Sequence, residues 1–148
     1  MSYTNLRVHF IWSTKEREKL IHESYREDLY AYIGRILRKR QHVLLAIGGV
    51  EDHVHMLAGL HQSQSIAEVV RDVKSNSSRW IHENQPKLSG FQWQKKYGAF
   101  SVSESSLEEV KSYIARQKEH HRHVSFQEEF QSFLKKHGIE FDDRFVFE

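Results

Sequence analysis

Glu51-Asp52-His53-Val54-His55-Met56-Leu57-Ala58-Gly59-Leu60 is an apolar run with two imidazoles set into it. It reads as a strand. Side chains on a strand alternate with period two, so His53 and His55 share one face while Val54, Met56 and Ala58 share the other. One face can pack against a core while the other does chemistry. Two neutral imidazoles on a rigid strand form a natural pair of metal ligands, because the backbone fixes their spacing. With 11 His in the chain, chance alone supplies roughly 0.8 His-x-His pairs, so the strand setting carries the weight. His121 and His123 form a second pair beside His120, in a polar stretch without strand character, and read as a solvated helix end.

Outward from that stretch, Val43 to Ile47 reads as a buried strand, Gly48-Gly49 and Glu51-Asp52 lie near a turn, and Asp52 to Leu60 returns antiparallel. Upstream, Leu6 to Trp12 alternates, with Leu6, Val8, Phe10 and Trp12 toward the core and His9 on the opposite face. Between them, Glu23 to Arg40 carries Tyr25, Leu29, Tyr32, Ile33, Ile36 and Leu37 at helical steps. Ser24 is its expected cap, with Glu27 three residues on. Downstream, Ser65 to Ile81 is a second helix with Ile66, Val69, Val70, Val73, Ser77, Trp80 and Ile81 on one side. Asn84 to Gly90 holds the only Pro and breaks it.

Phe91 to Gly98 is an aromatic and basic connection, and Ala99 to Ser103 a short strand with Phe100 and Val102 facing inward. Ser106 is then expected to cap a helix from Leu107 to about His120, opened by Glu108 and Glu109. Phe126, Phe130, Phe133 and Leu134 mark a last helix ending at Gly138, and Ile139 to Phe147 is a tail able to add an edge strand. The order strand, helix, strand, strand, helix, strand is that of an α+β, ferredoxin-like antiparallel sheet with helices on one face. The third strand is expected in the middle, which places His53 and His55 centrally on an open face.

A chain of 148 residues is about one domain by length, residues 1–148, with 125–148 expected as a C-terminal helix and tail packed on it. No Cys is present, which excludes disulfides, thiolate nucleophiles and Cys-based zinc sites. No signal-like run or membrane-length apolar stretch is visible, and a cytoplasmic protein without a membrane partner is expected. The net charge is +2, from 22 Lys and Arg against 20 Asp and Glu, so any basic surface must come from segregation. Arg35, Arg38, Lys39 and Arg40 cluster, and Lys95 and Lys96 flank the aromatic connection. Such runs are ordinarily solvated faces, but interleaved aromatics make nucleic acid a fair alternative.

On the third helix, Tyr113 and Gln117 stand four apart and share a face. Alone, Tyr113 reads as the margin of the stripe formed by Leu107, Val110 and Ile114, and Gln117 reads as surface. In combination, His53-Val54-His55 and Tyr113-Ile114-Ala115-Arg116-Gln117 resemble the HUH endonucleases with one catalytic tyrosine, specifically insertion-sequence transposases of the IS-200/605 group. The likeness spans nearly the whole chain and includes Val8 to Lys15, Asp52 to Leu57 and Trp93 to Ser103.

The resemblance implies an HUH endonuclease type of fold, with His53, His55 and Gln117 as metal ligands and Tyr113 as nucleophile. It also implies Mg²⁺ or Mn²⁺ as the ion, single-stranded DNA with hairpin ends as substrate, and a homodimer. The chemistry is consistent with those residues. A phosphodiester needs an in-line nucleophile and neutralised non-bridging oxygens. A tyrosine of free pKa about 10 must lose its proton during attack. A domesticated hairpin-DNA nickase or binder, and a non-catalytic nucleic-acid-binding ferredoxin-like module, are the alternatives. Metal-dependent cleavage separates the enzymes from the module.

Overall fold

The computed structural model describes residues 2–147. Met1 and Glu148, the ends of the expected single domain, lie outside the described residues. Among the described residues, four strands, β1 (Leu6–Ser13), β2 (Val43–Val50), β3 (His53–Leu60) and β4 (Gly98–Ser101), accompany five α-helices, α1 (Glu23–Lys39), α2 (Ile66–Asn84), α3 (Leu107–Ala115), α4 (Gln117–His120) and α5 (Phe126–Lys136). The sheet order is β2-β3-β1-β4 with antiparallel neighbours, the ferredoxin-like α+β arrangement expected from the element order, and β3 is central. Among the described residues no helix is long and apolar enough to cross a membrane.

Period-two alternation sorts the strands' side chains between two cores. Phe10 and Trp12 of β1 and Val54, Met56 and Ala58 of β3 pack beneath Tyr25, Leu29, Ile33 and Leu37 of α1 and Val69, Val70, Val73 and Ile81 of α2. Leu6, expected on this face, is 45% exposed at the strand's free end. A capping box between Ser65 and Glu68 starts α2 and satisfies two otherwise orphaned donors. His22, not Ser24, takes the cap position of α1, so Ser24 lies inside the first turn.

The imidazole face is closed, contrary to the open face expected from the sequence. Ile11 of β1 and Phe100 of β4 pack against Phe126, Phe130 and Leu134 of α5 and Val146 of the tail. Leu57 of β3 packs against Leu107 and Ile114 of α3. These strand residues alternate onto the same face as His53 and His55, and burying apolar surface of that size is worth about 1.5–3 kcal/mol per side chain. Cover is therefore favoured. The tail reaches this core through Val146 within a turn and forms no edge strand.

Two further departures shape the site. β2 runs on through Gly48 and Gly49 to Val50, pairing with His55, Val54 and His53, and at Gly48 α3 crosses so close that a Cβ would lie 2.6 Å from the Ile114 carbonyl oxygen. The single helix expected from Leu107 to His120 is broken at Arg116 (φ −101°, ψ 21°), giving α3 and then α4. The break re-aims Gln117 and the histidines that follow.

Candidate active site

His53 and His55 have no exposed surface, and each has one ring nitrogen engaged by a neighbour. His53 Nδ1 donates to Asp52 Oδ1 at 2.7 Å. His55 Nδ1 lies 2.8 Å from Nε2 of His9, which sits on the same sheet face from β1. Second-layer partners of this kind fix ring orientation and tautomer. Both Nε2 atoms are left facing one small volume.

Tyr113 and Gln117 reach the same volume from α3 and α4. Gln117 is 2% exposed; its Oε1 is 3.1 Å from His53 Nε2. Its amide nitrogen faces two acceptors, the Tyr113 carbonyl at 3.5 Å and Glu129 Oε2 at 3.4 Å, which sets the amide's orientation. The Tyr113 ring lies 5.7 Å from that of His55. Its hydroxyl donates to Glu129 Oε2 and stands 3.2 Å from His120 Nε2. All four residues singled out in the sequence thus converge, although they come from segments about sixty residues apart.

Three participants were not anticipated. Glu129 of α5, 3% exposed, has Oε1 2.8 Å from His55 Nε2 and 3.5 Å from His53 Nε2. His120 and His121 each bring Nε2 within 3.1 Å of its oxygens. The reading of His121 as part of a solvated helix end is corrected: its side chain is 8% exposed and its ring is 4.3 Å from that of His53. His123 does remain exposed. A signal for Glu129 existed, since it is an acid three residues after Phe126 and next to Phe130 on the apolar stripe of α5.

Burial tends to raise the Glu129 pKa, but the His121, His55 and His53 rings crowded around it outweigh that and hold the carboxyl far below the usual range. Glu129 is an anion. Burial pushes His55 down to about 4, with Glu129 opposing, and His9 down to about 3, with His55 adding to the effect. Burial lowers His121 as well, yet the Glu129 carboxylate more than offsets it and raises the ring. Burial, then the Glu129 charge, raises Tyr113, so its hydroxyl keeps its proton at neutral pH.

These donors fit a divalent cation. With the His53 proton on Nδ1, toward Asp52, the Nε2 lone pair faces Gln117 Oε1 and Glu129 Oε1 with no proton between them. His121 Nε2 is buried and makes no hydrogen bond of sound geometry. Ligand atoms of His53, His55, His121 and Glu129 lie within 4.8 Å of one another. Converging lone pairs are costly when unpaired, and imidazole nitrogens beside carboxylate and amide oxygens are a donor set able to hold a divalent cation.

Known proteins share this framework. The family described as Transposase IS200 like matches residues 2–117. The ISDra2 transposase TnpA of Deinococcus radiodurans is 26% identical over 117 residues, covering 76% of this chain and 84% of that protein. A crystal structure of a protein from D. radiodurans R1 assigned as a transposase aligns with a TM-score of 0.61 at 27% identity, over 78% of this chain and 93% of that one. The REP-associated tyrosine transposase bound to a REP hairpin aligns with a TM-score of 0.63 over 84% of this chain and 73% of that one; at 15% identity that likeness concerns the fold alone. With the family match running through β1 to Gln117, the chain belongs to the IS200-like transposase family.

Proposed function

We propose that this chain cleaves and rejoins single-stranded DNA at hairpin-bearing element ends, with Tyr113 as nucleophile and His53, His55 and Gln117 holding Mg²⁺ or Mn²⁺. The observation that carries the reading is the Tyr113 hydroxyl, delivered by α3 into the same buried cluster as the Nε2 atoms of His53 and His55. Held by these residues, the cation would supply Lewis acidity at the non-bridging phosphate oxygens and a template for the phosphate.

The chain's residues do the rest. Asp52 and His9 hold the two imidazoles in place. Tyr113 Oη bonds to phosphorus as the bond to the 3′ oxygen breaks, leaving a 5′-phosphotyrosine and a free 3′ hydroxyl. His120 Nε2, 3.2 Å from the hydroxyl and pushed below the ordinary histidine range chiefly by burial, is a neutral acceptor for the tyrosine proton. A new 3′ hydroxyl reverses the step without ATP, since one phosphodiester replaces another. Because His53 and His55 are wholly buried, the scissile phosphate reaches them when the α4–α5 cover moves.

Hairpin DNA is the partner by analogy with the REP hairpin held by a relative of the same fold. On the far face, Arg35, Lys39, Arg40 and Arg79 line a groove with Tyr32, Asn76 and a single carboxylate, Asp72, between α1 and α2, a net basic surface suited to phosphates. A homodimer supplies two tyrosines for two element ends, and the cytoplasm is the compartment where such DNA lies. The test is cleavage of labelled hairpin-flanked single strands. Wild-type protein cleaves with Mg²⁺ or Mn²⁺, while Tyr113→Phe and His53→Ala bind DNA without cutting. Cutting by either variant, or by wild type in chelator, overturns the reading.

A further inference from the structure

Gln117 is the last residue of the family match; Glu129 lies twelve residues beyond it, on a different helix. We propose that Glu129 is itself a ligand of the divalent cation, so that the C-terminal helix α5 completes the metal site in this chain. The inference rests on the reading that His53 and His55 hold the cation.

Geometry is the first ground. Glu129 Oε1 is 2.8 Å from His55 Nε2, 3.5 Å from His53 Nε2 and 3.1 Å from His121 Nε2, on the side of both strand imidazoles where their lone pairs converge. The second ground is burial. At 3% exposure, with only imidazoles as ion-pair partners among the described residues, this carboxylate has no permanently charged Lys or Arg beside it. A buried anion needs a cation close by. The third is placement. Phe126 and Phe130, stacked 5.5 Å apart, seat α5 on Ile11 and Phe100 and so hold Glu129, between them in sequence, against the imidazoles. Packing alone would be served better by an apolar side chain there.

Two imidazoles, a carboxylate and the Gln117 amide oxygen make an N₂O₂ set that leaves coordination positions for phosphate oxygens. The carboxylate cancels one of the cation's two charges and favours a metal that accepts both nitrogen and hard oxygen, Mn²⁺ before Mg²⁺. The competing reading is that Glu129 only ties α4 to α5 through His120 and His121.

Mn²⁺ titration of the full chain, followed by loss of the free-ion EPR signal, separates them. Wild type should bind one Mn²⁺, His53→Ala should not, and Glu129→Gln should lose more than the about 10–100-fold that an outer-layer partner contributes. The Co²⁺ d–d spectrum of Glu129→Gln should also shift. Wild-type protein carrying ¹³C-labelled glutamate should show hyperfine coupling between bound Mn²⁺ and a carboxylate carbon, a measurement that needs no variant to fold. Mn²⁺ bound by wild type and lost in His53→Ala, but with no ¹³C coupling or with Glu129→Gln unchanged in affinity and Co²⁺ spectrum, overturns ligation by Glu129 alone. Absence of any Mn²⁺ binding by wild type overturns the metal site as a whole.

Discussion

Gly48→Ala isolates the contact that places the tyrosine. Gly48 pairs with His55 across β2 and β3, and an added Cβ would stand 2.6 Å from the Ile114 carbonyl oxygen and 3.1 Å from Ile114 Cγ2. Cβ contacts shorter than 3.0 Å essentially do not occur, so α3 must retreat by about 0.4 Å or more to restore that separation. Gly48 does not have a positive φ, and alanine by its backbone effect alone would stabilise by about 0.4–1 kcal/mol. Overpacking opposes this with about 1–3 kcal/mol, for an expected net loss of about 1–2 kcal/mol. Tyr113 precedes Ile114 on the retreating helix. Since a shift of about 1 Å at a reacting centre can cost about 100-fold, a smaller retreat should slow adduct formation about tenfold. Urea unfolding and single-turnover adduct formation on single-stranded DNA give the two numbers. Gly90→Ala, where an added Cβ meets nothing within 4 Å, is the control: it should leave the rate unchanged and raise stability by about 0.4–1 kcal/mol through the backbone effect alone. A Gly48→Ala protein as stable and as fast as wild type would refute the close seating of α3 on β2.

Stability in chelator should fall as pH drops from 6.5 toward 4. His9 and His55 are held by burial at about 3 and about 4 in the folded chain, below their unfolded value, so the unfolded state takes up protons first; each imidazole costs up to about 1.4 kcal/mol per pH unit. A urea midpoint unchanged between pH 7 and pH 4.5 would contradict this. His121→Ala should slow adduct formation several-fold by removing a ring 3.1 Å from Glu129, whereas His123→Ala, at an exposed position, should not; equal rates for the two would count against a role for His121. Mixing Tyr113→Phe with His53→Ala protein should leave cleavage lost, because Tyr113 and the imidazoles meet within one chain; restored cleavage would instead mean a site shared between two chains, and a strictly monomeric, active protein would exclude the homodimer.

The period-two pattern made His53 and His55 legible as neighbours on one face, and β3 as a central strand, because strand geometry depends only on alternation. The apolar stripe of α2 was equally plain, being a local signal. The closure of the imidazole face was not, although its cause lies in the same alternation: Ile11, Leu57 and Phe100 share the face of His53 and His55, and their burial depends on α3 and α5 folding back from far along the chain. The break at Arg116 carries no Gly or Pro to announce it. It is nevertheless what turns a surface-looking Gln117 and a polar His120-His121 pair inward. Glu129 was visible only as an acid on an aromatic stripe, a mismatch that gains meaning once the imidazoles opposite it are known.

The central claim, that Tyr113 is the nucleophile, is tested most directly by isolating the protein–DNA adduct. End-labelled single strands carrying a hairpin would be incubated with the protein and Mn²⁺, digested with protease, and the modified peptide sequenced by mass spectrometry. The expected result is a phosphotyrosine on Tyr113 joined to the 5′ side of the break, with a free 3′ hydroxyl on the released strand, and no adduct from Tyr113→Phe. An adduct on Tyr97, or one joined to a 3′ phosphate, would contradict the account.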